Sequence, residues 1–310
     1  MSFFANAETF AGQVVADYPG GRPDATAWSV AWHDDEMDQE GVLSDGFRDM
    51  FEGFVADRGA TTETLVIGAW GYAAFRPAPI RQLVDAAPRL PRLRALFLGD
   101  ITGDECEVSW MKVGDVSPLL TAFPALRALQ VRGGEDFRFS PVRNDSLRRL
   151  VVESGGLGSA FTTAVLASSF PELTDLELWL GTSEYGGDTS LADLRPLLDG
   201  TLFPRLRRLG LRNAESADEI AVALAQAPVV ARLESLDLSM GTLGDTGATA
   251  LLAGQPLTHL RRLDLRHHYM SAEVAAAVVG ALPGVEVDID DPQEDDVFDD
   301  VAYRYTAVSE

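Results

Sequence analysis

One short pattern recurs along most of this chain of 310 residues: an aliphatic residue, two variable residues, a second aliphatic, one variable residue and a third aliphatic. The central aliphatic advances by between 21 residues (Leu129 to Leu150) and 33 residues (Leu96 to Leu129) from copy to copy. A unit this short cannot bury its apolar side alone, so the copies must stack on one another. The seven nearly ideal copies begin at Leu93, Leu126, Leu147, Leu173, Leu206, Leu233 and Leu260, and weaker copies flank them at Leu65-Ile67 and Leu282-Val285-Val287.

This pattern and its period are the signature of a leucine-rich repeat. Helix signals lie between the copies: Ser216 with Glu219 predicts a capping box, and Ser271 predicts an N-cap. We therefore expect an α/β leucine-rich-repeat solenoid, a horseshoe with a parallel concave sheet and outer helices. The repeats, with about nine strands, are expected to occupy residues 62–289.

Both ends of the chain depart from the repeat. Trp28, Val30 and Trp32 alternate with small or polar residues, which predicts a strand, and a helical spacing of aromatic residues follows from Phe47. Residues 1–61 are therefore expected to form an α/β strand–helix unit that caps the apolar end of the solenoid. Residues 290–310 are acidic and are expected to form a C-terminal tail or cap.

The chain resembles bacterial cytosolic leucine-rich-repeat proteins whose repeats are ribonuclease-inhibitor-like and contain helices, a family with no assigned role. The local match is best at Leu236-Asp237-Leu238-Ser239 followed by Leu243-Gly244-Asp245-Thr246-Gly247-Ala248. One difference concerns the turn after each strand, where such repeats place an asparagine three residues beyond the last aliphatic. The corresponding residues here are Ile101, Gly134, Gly155, Gly181, Ala214, Gly241 and His268.

Composition restricts the classes of partner. The net charge is -23 and the pI is about 4.4, which disfavours nucleic acids and anionic membranes, although a basic partner is compatible with it. The only cysteine, Cys106, cannot form an intramolecular disulfide. No signal peptide and no apolar run of membrane-spanning length is found. We therefore expect a cytoplasmic protein, acting as a monomer.

The candidate binding residues come from the variable positions of the repeat. Side chains alternate along a strand, so the residues between the aliphatics should form the exposed, concave face of the sheet, which we call the variable face. Exposed aromatic and arginine side chains are typical of interface anchors. Alternatively, the arginines and carboxylates of this face form an internal charge ladder. The predicted binding residues are Phe97, Glu177, Trp179, Arg208, Arg212, Asp237, Asp264 and Arg266.

The remaining groups of potential metal ligands and nucleophiles argue against catalysis. His259, His267 and His268 lie close together, but His268 should point into a turn and not towards a shared metal. The spacing of Asp34, Glu36, Asp38 and Asp45 is loop-like, yet Gln39 stands where a calcium loop requires glycine. Cys106 lies between Glu105 and Glu107, which should raise its pKa. We predict no enzyme, no cofactor and no metal site.

Three functional hypotheses follow. The first is a non-enzymatic scaffold that binds a protein or peptide on the variable face and on two insertion loops, residues 99–116 and 181–192. Under it, Trp179 and Arg212 should contribute to binding and little to folding. The second is an acidic inhibitor or immunity protein for a basic nuclease or toxin. The third, less favoured, is a metal-dependent enzyme.

Overall fold

The computed structural model describes residues 5–22, 24–34 and 40–309. These residues form two compact units. The first unit contains the described residues up to Glu153 together with Ala167–Pro171, and the second contains Ser154–Leu166 and Glu172–Ser309.

The first unit combines a short antiparallel hairpin with parallel strands. The hairpin consists of β1 (Thr9–Phe10) and β2 (Gln13–Val14). Within the described residues of this unit, six parallel strands pair in chain order: β3 (Ala16–Asp17), β4 (Ala27–Trp32), β5 (Thr64–Trp70), β6 (Ala95–Leu98), β7 (Ala128–Arg132) and β8 (Arg149–Glu153). Its α-helices are α1 (Asp45–Arg58), α2 (Ile80–Ala86) and α3 (Ser117–Ala122).

The second unit repeats the same plan of parallel strands and helices. Its parallel strands, again paired in chain order, are β9 (Asp175–Gly181), β10 (Arg208–Ala214), β11 (Ser235–Asp237), β12 (Arg262–Asp264) and β13 (Glu286–Asp288). The helices are α4 (Ser159–Leu166), α5 (Leu191–Leu198), α6 (Ala217–Leu224), α7 (Asp245–Ala253) and α8 (Ala272–Ala281). A separate antiparallel hairpin follows, formed by β14 (Asp296–Phe298) and β15 (Val301–Tyr303).

The register of the strands aligns the repeated aliphatics in rows. In the second unit, Leu209 lies opposite Leu176 and Leu236, and Leu236 lies opposite Leu263. In the first unit, Leu96 lies between Leu65 and Leu129 in the same way. These leucines are fully buried, and each contributes about 1.5–3 kcal/mol of transfer free energy. A strand forms at each of the nine predicted copies, and the predicted leucine-rich-repeat fold class is confirmed.

Helix starts depend partly on neighbouring repeats. Ser271 accepts a hydrogen bond from the Val274 amide, as predicted. The predicted capping box at Ser216 is wrong, because its side chain accepts no capping bond. Instead, Asp218 of α6 accepts hydrogen bonds from the amides of Gly244 (2.8 Å) and Gly247 (2.9 Å) at the start of α7. One repeat therefore supplies the N-terminal acceptor of the next helix.

Candidate functional site

The variable face of the first unit is covered by the protein's own N-terminal residues. Phe97, predicted to be an exposed anchor, has no solvent exposure. It packs in a buried cluster with Phe10 of β1 and Val66 of β5, and the Phe10 and Phe97 ring centroids are 5.7 Å apart. The expectation that Phe97 is exposed is therefore wrong, since the β1–β2 hairpin lies over this part of the sheet.

Asp100, just after β6, ties the N-terminal residues to the sheet. Its Oδ2 accepts a hydrogen bond from the Ala7 amide (2.9 Å), and its carbonyl accepts one from the Asn6 side chain (2.9 Å). Burial raises the pKa of the Asp100 carboxyl above its usual range. A cleft of about 670 Å³ lies beside it and includes the paired His33 and Glu105 in its lining. The N-terminal segment is thus held by directed bonds as well as by apolar contact.

Further along the same face, a charged pair is buried. Arg132 donates from Nε to Glu153 Oε2 (2.6 Å) and from Nη1 to the carbonyl of Ile101 (2.7 Å). Gln130 donates to the other oxygen of Glu153 (2.7 Å). The Arg132 guanidinium also lies over the Phe97 ring, 5.4 Å from its centroid. Because these side chains are almost fully buried, they organise the interior of the unit and offer no surface to a partner.

In the second unit, Trp179 lies on the variable face but is not exposed. Its side chain retains only 2% exposure. The indole Nε1 donates to Glu177 Oε1 (2.9 Å), and the Arg212 guanidinium lies over the ring, 5.3 Å from its centroid. The expectation of a solvated Trp179 is therefore wrong, because neighbouring side chains on the face cover the ring.

Arg212 is the centre of this cluster. It donates to Glu177 Oε1 (2.6 Å) and to the Ser239 hydroxyl (2.9 Å), and it lies 3.4 Å from Asp237 Oδ2. Burial acts to lower the pKa of Arg212, but the two carboxylates outweigh burial and raise it. Burial also raises the pKa of Asp237, against the effect of Arg212. Four of the eight predicted residues, Glu177, Trp179, Arg212 and Asp237, thus form one mostly buried cluster.

Three other arginines on the same face remain accessible. The Arg208 and Arg266 side chains are 56% and 44% exposed, and Arg262 is about one third exposed. Arg208 pairs with Asp175. Arg262 donates to Asp288 (2.8 Å) and to Asp264 (3.0 Å), and Arg266 donates to Asp264 (2.8 Å).

The expectation that Asp264 is exposed is wrong, because only 4% of its side chain is accessible where Arg262 and Arg266 pair with it. Burial acts to raise the pKa of its carboxyl, but hydrogen bonds from Arg266 and Arg262 outweigh burial and hold that pKa below its usual range. The contacts therefore match the interpretation of the arginines and carboxylates as a charge ladder. They also leave the guanidinium groups of Arg208 and Arg266 at the surface.

The C-terminal residues form a contact that no sequence pattern predicts. Residues 304–308, here named the C-terminal strap, run past the ends of three strands in the second unit. The Tyr305 amide donates to the Tyr269 hydroxyl (2.8 Å), and the Ala307 amide donates to the Met240 carbonyl (2.9 Å). Val308 donates from its amide to Asn213 Oδ1 (3.0 Å). No periodic sequence signal marks this strap.

The histidines serve local structure. His268 accepts a hydrogen bond from the Met270 amide at Nδ1 (3.1 Å), so its Nε2 carries the proton donated to the Ile289 carbonyl (3.0 Å). It therefore points into the turn, as predicted, and burial lowers its pKa. His267 lies against Asp291 and the Tyr305 carbonyl, and His259 against the Val230 carbonyl.

The candidate metal ligands and the candidate nucleophile Cys106 differ from the histidines in their surroundings. In the described part of the chain, no group of three or more His, Cys, Asp or Glu side chains could hold a metal ion. Of the predicted acidic loop, Glu36, Asp38 and Gln39 lie outside the described residues. Burial raises the pKa of the Cys106 thiol to about 11, so the thiolate that nucleophilic catalysis requires is scarce at neutral pH.

An exposed aromatic residue lies on the first predicted insertion loop. The loop contains a short 3₁₀ helix, Val108–Trp110, and the Trp110 side chain is half exposed. The second loop contains another 3₁₀ helix, Ser183–Tyr185. Among the described residues, no helix is long and apolar enough to cross a membrane.

Two solved structures are similar to this chain to different degrees. A protein from Bacteroides fragilis with a solved crystal structure is 28% identical, with a TM-score of 0.77 over 87% of this chain and 75% of its own. An internalin from Listeria monocytogenes is 14% identical, with a TM-score of 0.41 over 74% of this chain and 54% of its own.

No family model matches the chain, and no curated protein matches it. The evidence for its class is therefore the repeated aliphatic pattern, the parallel strands and helices in each unit, and the similarity to the Bacteroides structure. On these grounds the chain is a leucine-rich-repeat protein of mixed α/β architecture.

Proposed function

We propose that this protein is a non-enzymatic scaffold that binds a protein or peptide on the variable face of its second unit. The observation that carries the proposal is the row of accessible guanidinium groups on Arg208, Arg262 and Arg266, each held by a carboxylate of the same sheet. Leucine-rich-repeat proteins commonly bind partners on the surfaces that such repeats present.

The geometry suits recognition by a polar partner. A guanidinium has five N–H donors in a fixed fork and is enriched at interface hot spots. Because carboxylates already hold these arginines, less side-chain entropy is lost when a partner binds. A peptide lying across strands β9 to β13 would meet Arg208, Arg262 and Arg266 together with the partly exposed carboxylates of Asp175 and Glu286. Such alternating charge gives specificity more than affinity.

The structure changes the roles proposed for the aromatic residues. Phe97 and Trp179 are buried and do not serve as exposed anchors. Trp179 instead supports Arg212 from below, and Arg212 fixes Glu177 and Asp237. We therefore assign these residues to positioning the face, and the contact with the partner to Arg208, Arg262 and Arg266.

The inhibitor hypothesis has weaker support. It depends on the net charge of -23, which first of all favours solubility. On the variable face of the second unit, the carboxylates are paired with arginines, as in Asp175 with Arg208 and Asp264 with Arg266. A face of this kind offers no continuous anionic surface to a basic nuclease or toxin.

The test compares arginines that differ in their position. The double variant Arg208→Ala with Arg266→Ala removes two exposed groups from the variable face. Arg261→Ala is the matched control, because Arg261 is 81% exposed and lies 3.7 Å from Glu234. Proteins that co-purify from a lysate of the source organism are quantified by mass spectrometry. The proposal predicts at least one specific partner that the double variant loses and the control retains.

Thermal unfolding of the three proteins completes the test. Exposed ion pairs contribute about 0.2–1 kcal/mol each, so the double variant should unfold close to the wild-type temperature. Equal capture by the wild type and the double variant would contradict the proposal. Loss of folding in the double variant would assign the ladder to stability.

A further inference from the structure

The hairpin near the C-terminus exposes an unusual amount of apolar surface. We name residues 296–303, comprising β14, β15 and their connecting turn, the C-terminal hairpin. Val297 and Phe298 are 63% and 68% exposed, and Val301 and Tyr303 are also exposed. The turn residues Asp299 and Asp300 have φ values of 49° and 61°, which matches the type I′ turn preferred in two-residue hairpins.

The strand register and the exposure of the side chains together show that neither face of the hairpin is packed. Phe298 lies opposite Val301, and Asp296 lies opposite Tyr303, so these four side chains share one face. Val297 and Ala302 share the other face, and every residue of both strands is exposed. An isolated two-stranded hairpin is marginally stable in water, because it needs a third strand or a packed face. Clustered exposed apolar side chains mark interaction sites.

The base of the hairpin is nevertheless anchored to the second unit. Arg304 donates from Nε to Asp295 Oδ1 (2.6 Å), lies 3.9 Å from Asp218 Oδ2, and stacks over the Tyr269 ring at 5.2 Å. The C-terminal strap continues from there into its bonds with Tyr269, Met240 and Asn213. The hairpin is therefore held at one end and projects its apolar side chains at the other.

The negative charge of the hairpin indicates which kind of partner it can bind. Residues 294–303 contain five carboxylates and no lysine or arginine, and the carboxylates belong to Glu294, Asp295, Asp296, Asp299 and Asp300. A second copy of the same hairpin, or an anionic lipid surface, would be repelled by these groups. A basic protein segment would be attracted by them, and its apolar side chains could cover Phe298 and Tyr303.

We propose that the C-terminal hairpin is a docking site for an extended protein segment in which basic and apolar residues alternate. The segment adds to the hairpin as a further strand, because β14 and β15 pair with each other and with no other strand in the described part of the chain. Its apolar side chains pack on the face of Phe298, Val301 and Tyr303, and its basic side chains meet the surrounding carboxylates. This surface is separate from the variable face and does not depend on the function proposed for that face.

The experiment uses designed peptides as probes and the full chain as the receptor. The first peptide alternates arginine and valine, the second replaces each arginine by glutamate, and the third replaces each valine by serine. Fluorescence anisotropy measures the dissociation constant at low and at high salt. We expect the first peptide to bind more tightly than either of the others and to weaken as salt rises.

Variants locate the binding on the hairpin. Phe298→Ser should weaken the arginine–valine peptide by roughly tenfold or more, as expected for loss of an aromatic anchor. Asp299→Asn with Asp300→Asn should flatten the salt dependence, and asparagine tolerates the positive φ of both positions. Val279→Ser is the matched control, since Val279 is a similarly exposed apolar residue on α8 of the same unit. Arg208→Ala should leave peptide binding unchanged, which separates this test from that of the variable face.

Three outcomes would overturn the proposal. One is equal binding of the glutamate–valine peptide, and another is equal binding by the Phe298→Ser variant. The third is self-association of the wild type that Phe298→Ser abolishes in analytical ultracentrifugation, which would make a second copy the occupant. Thermal unfolding of each variant at the wild-type temperature shows that loss of binding is not loss of folding.

Discussion

The two units share the same pattern of buried aliphatic residues, but they differ in what lies on their variable faces. In the first unit the face carries Val66 and Phe97, and the unit's own N-terminal hairpin covers them through Phe10. In the second unit the equivalent positions carry Glu177, Asp237 and Asp264, and arginines pair with them. The variable face of the first unit is therefore part of a buried core. The variable face of the second unit is a network of paired charges that is partly exposed.

This difference shows what the repeat does and does not specify. The aliphatic positions determine how strands stack, because those side chains must be buried together. The variable positions determine whether the other side of the sheet needs a cover. Apolar residues such as Phe97 require one, whereas paired charges such as Arg208 with Asp175 remain stable in water. A partner surface is therefore expected on the second unit and not on the covered part of the first.

The largest expected effect tests the cover of the first unit. Phe97→Ala should lower the free energy of unfolding by about 3–5 kcal/mol, because it leaves a cavity between the sheet and the N-terminal hairpin. Urea denaturation measures this loss. Val14→Ala, an exposed change on the same hairpin, should alter stability by no more than about 0.5 kcal/mol. Similar stabilities for Phe97→Ala and the wild type would mean that the face is open in solution.

The next prediction compares the loss of stability when a buried and an exposed arginine of strand β10 are each replaced by alanine. Arg212→Ala should cost about 3 kcal/mol, since it leaves Glu177 and Asp237 without their shared cation in a mostly buried place. Arg208→Ala, also on β10 but half exposed, should cost less than about 1 kcal/mol. Chemical denaturation of both variants gives the comparison. Equal losses would contradict the division between positioning residues and surface residues.

A smaller effect concerns the C-terminal strap of the second unit. Asn213→Ala removes both the side-chain acceptor for the Val308 amide and the donor to the Val308 carbonyl. We expect a loss of about 1–3 kcal/mol and faster hydrogen exchange at the Ala307 and Val308 amides. Asn213→Asp keeps the acceptor and should retain more of the amide protection. Unchanged exchange in Asn213→Ala would show that the strap is held by other contacts.

The smallest effect is a difference in pH dependence between one carboxyl from each unit. Burial raises the pKa of Asp100, so ionisation of this group weakens folding as pH rises above its unfolded value of 3.8. For Asp264, burial acts in the same direction, but Arg266 and Arg262 lower the pKa. Its contribution is therefore present above 3.8 and is lost as pH falls through the lower folded value.

Asparagine variants test whether Asp100 and Asp264 change the stability in opposite directions with pH. Relative to the wild type, Asp100→Asn should gain stability as pH rises from 3 to 7, whereas Asp264→Asn should lose stability over the same range. Urea unfolding at several pH values measures both slopes. Slopes of the same sign would mean that the arginines of the second unit do not offset the burial of Asp264.

Much of the fold was predictable from local sequence. The spacing of leucines such as Leu176 and Leu209 predicted where strands form and which side chains are buried, because strand periodicity is a property of a few adjacent residues. The N-cap at Ser271 was predictable for the same reason. The capping box at Ser216 was not, because Asp218 supplies the start of α7 from the neighbouring repeat, and only stacking brings them together.

The candidate site depended far more on contacts between distant residues. The eight predicted residues occupy variable positions of the strands, yet Phe97, Trp179 and Asp264 are buried, and Arg208 and Arg266 are the most exposed of the eight. Asn6 lies 94 residues before Asp100, and Asn213 lies 95 residues before Val308. No periodic signal links residues so far apart.

Local patterns were therefore sufficient for the repeat, its strands and the identity of the side chains on each face, since these follow from the geometry of short segments. Tertiary structure alone decided which variable positions are covered. Coverage of a surface results from the free energy of docking one segment on another, and that free energy depends on both segments at once. In this protein, coverage and docking of this kind are provided by the N-terminal hairpin, by Arg212 and by the C-terminal strap.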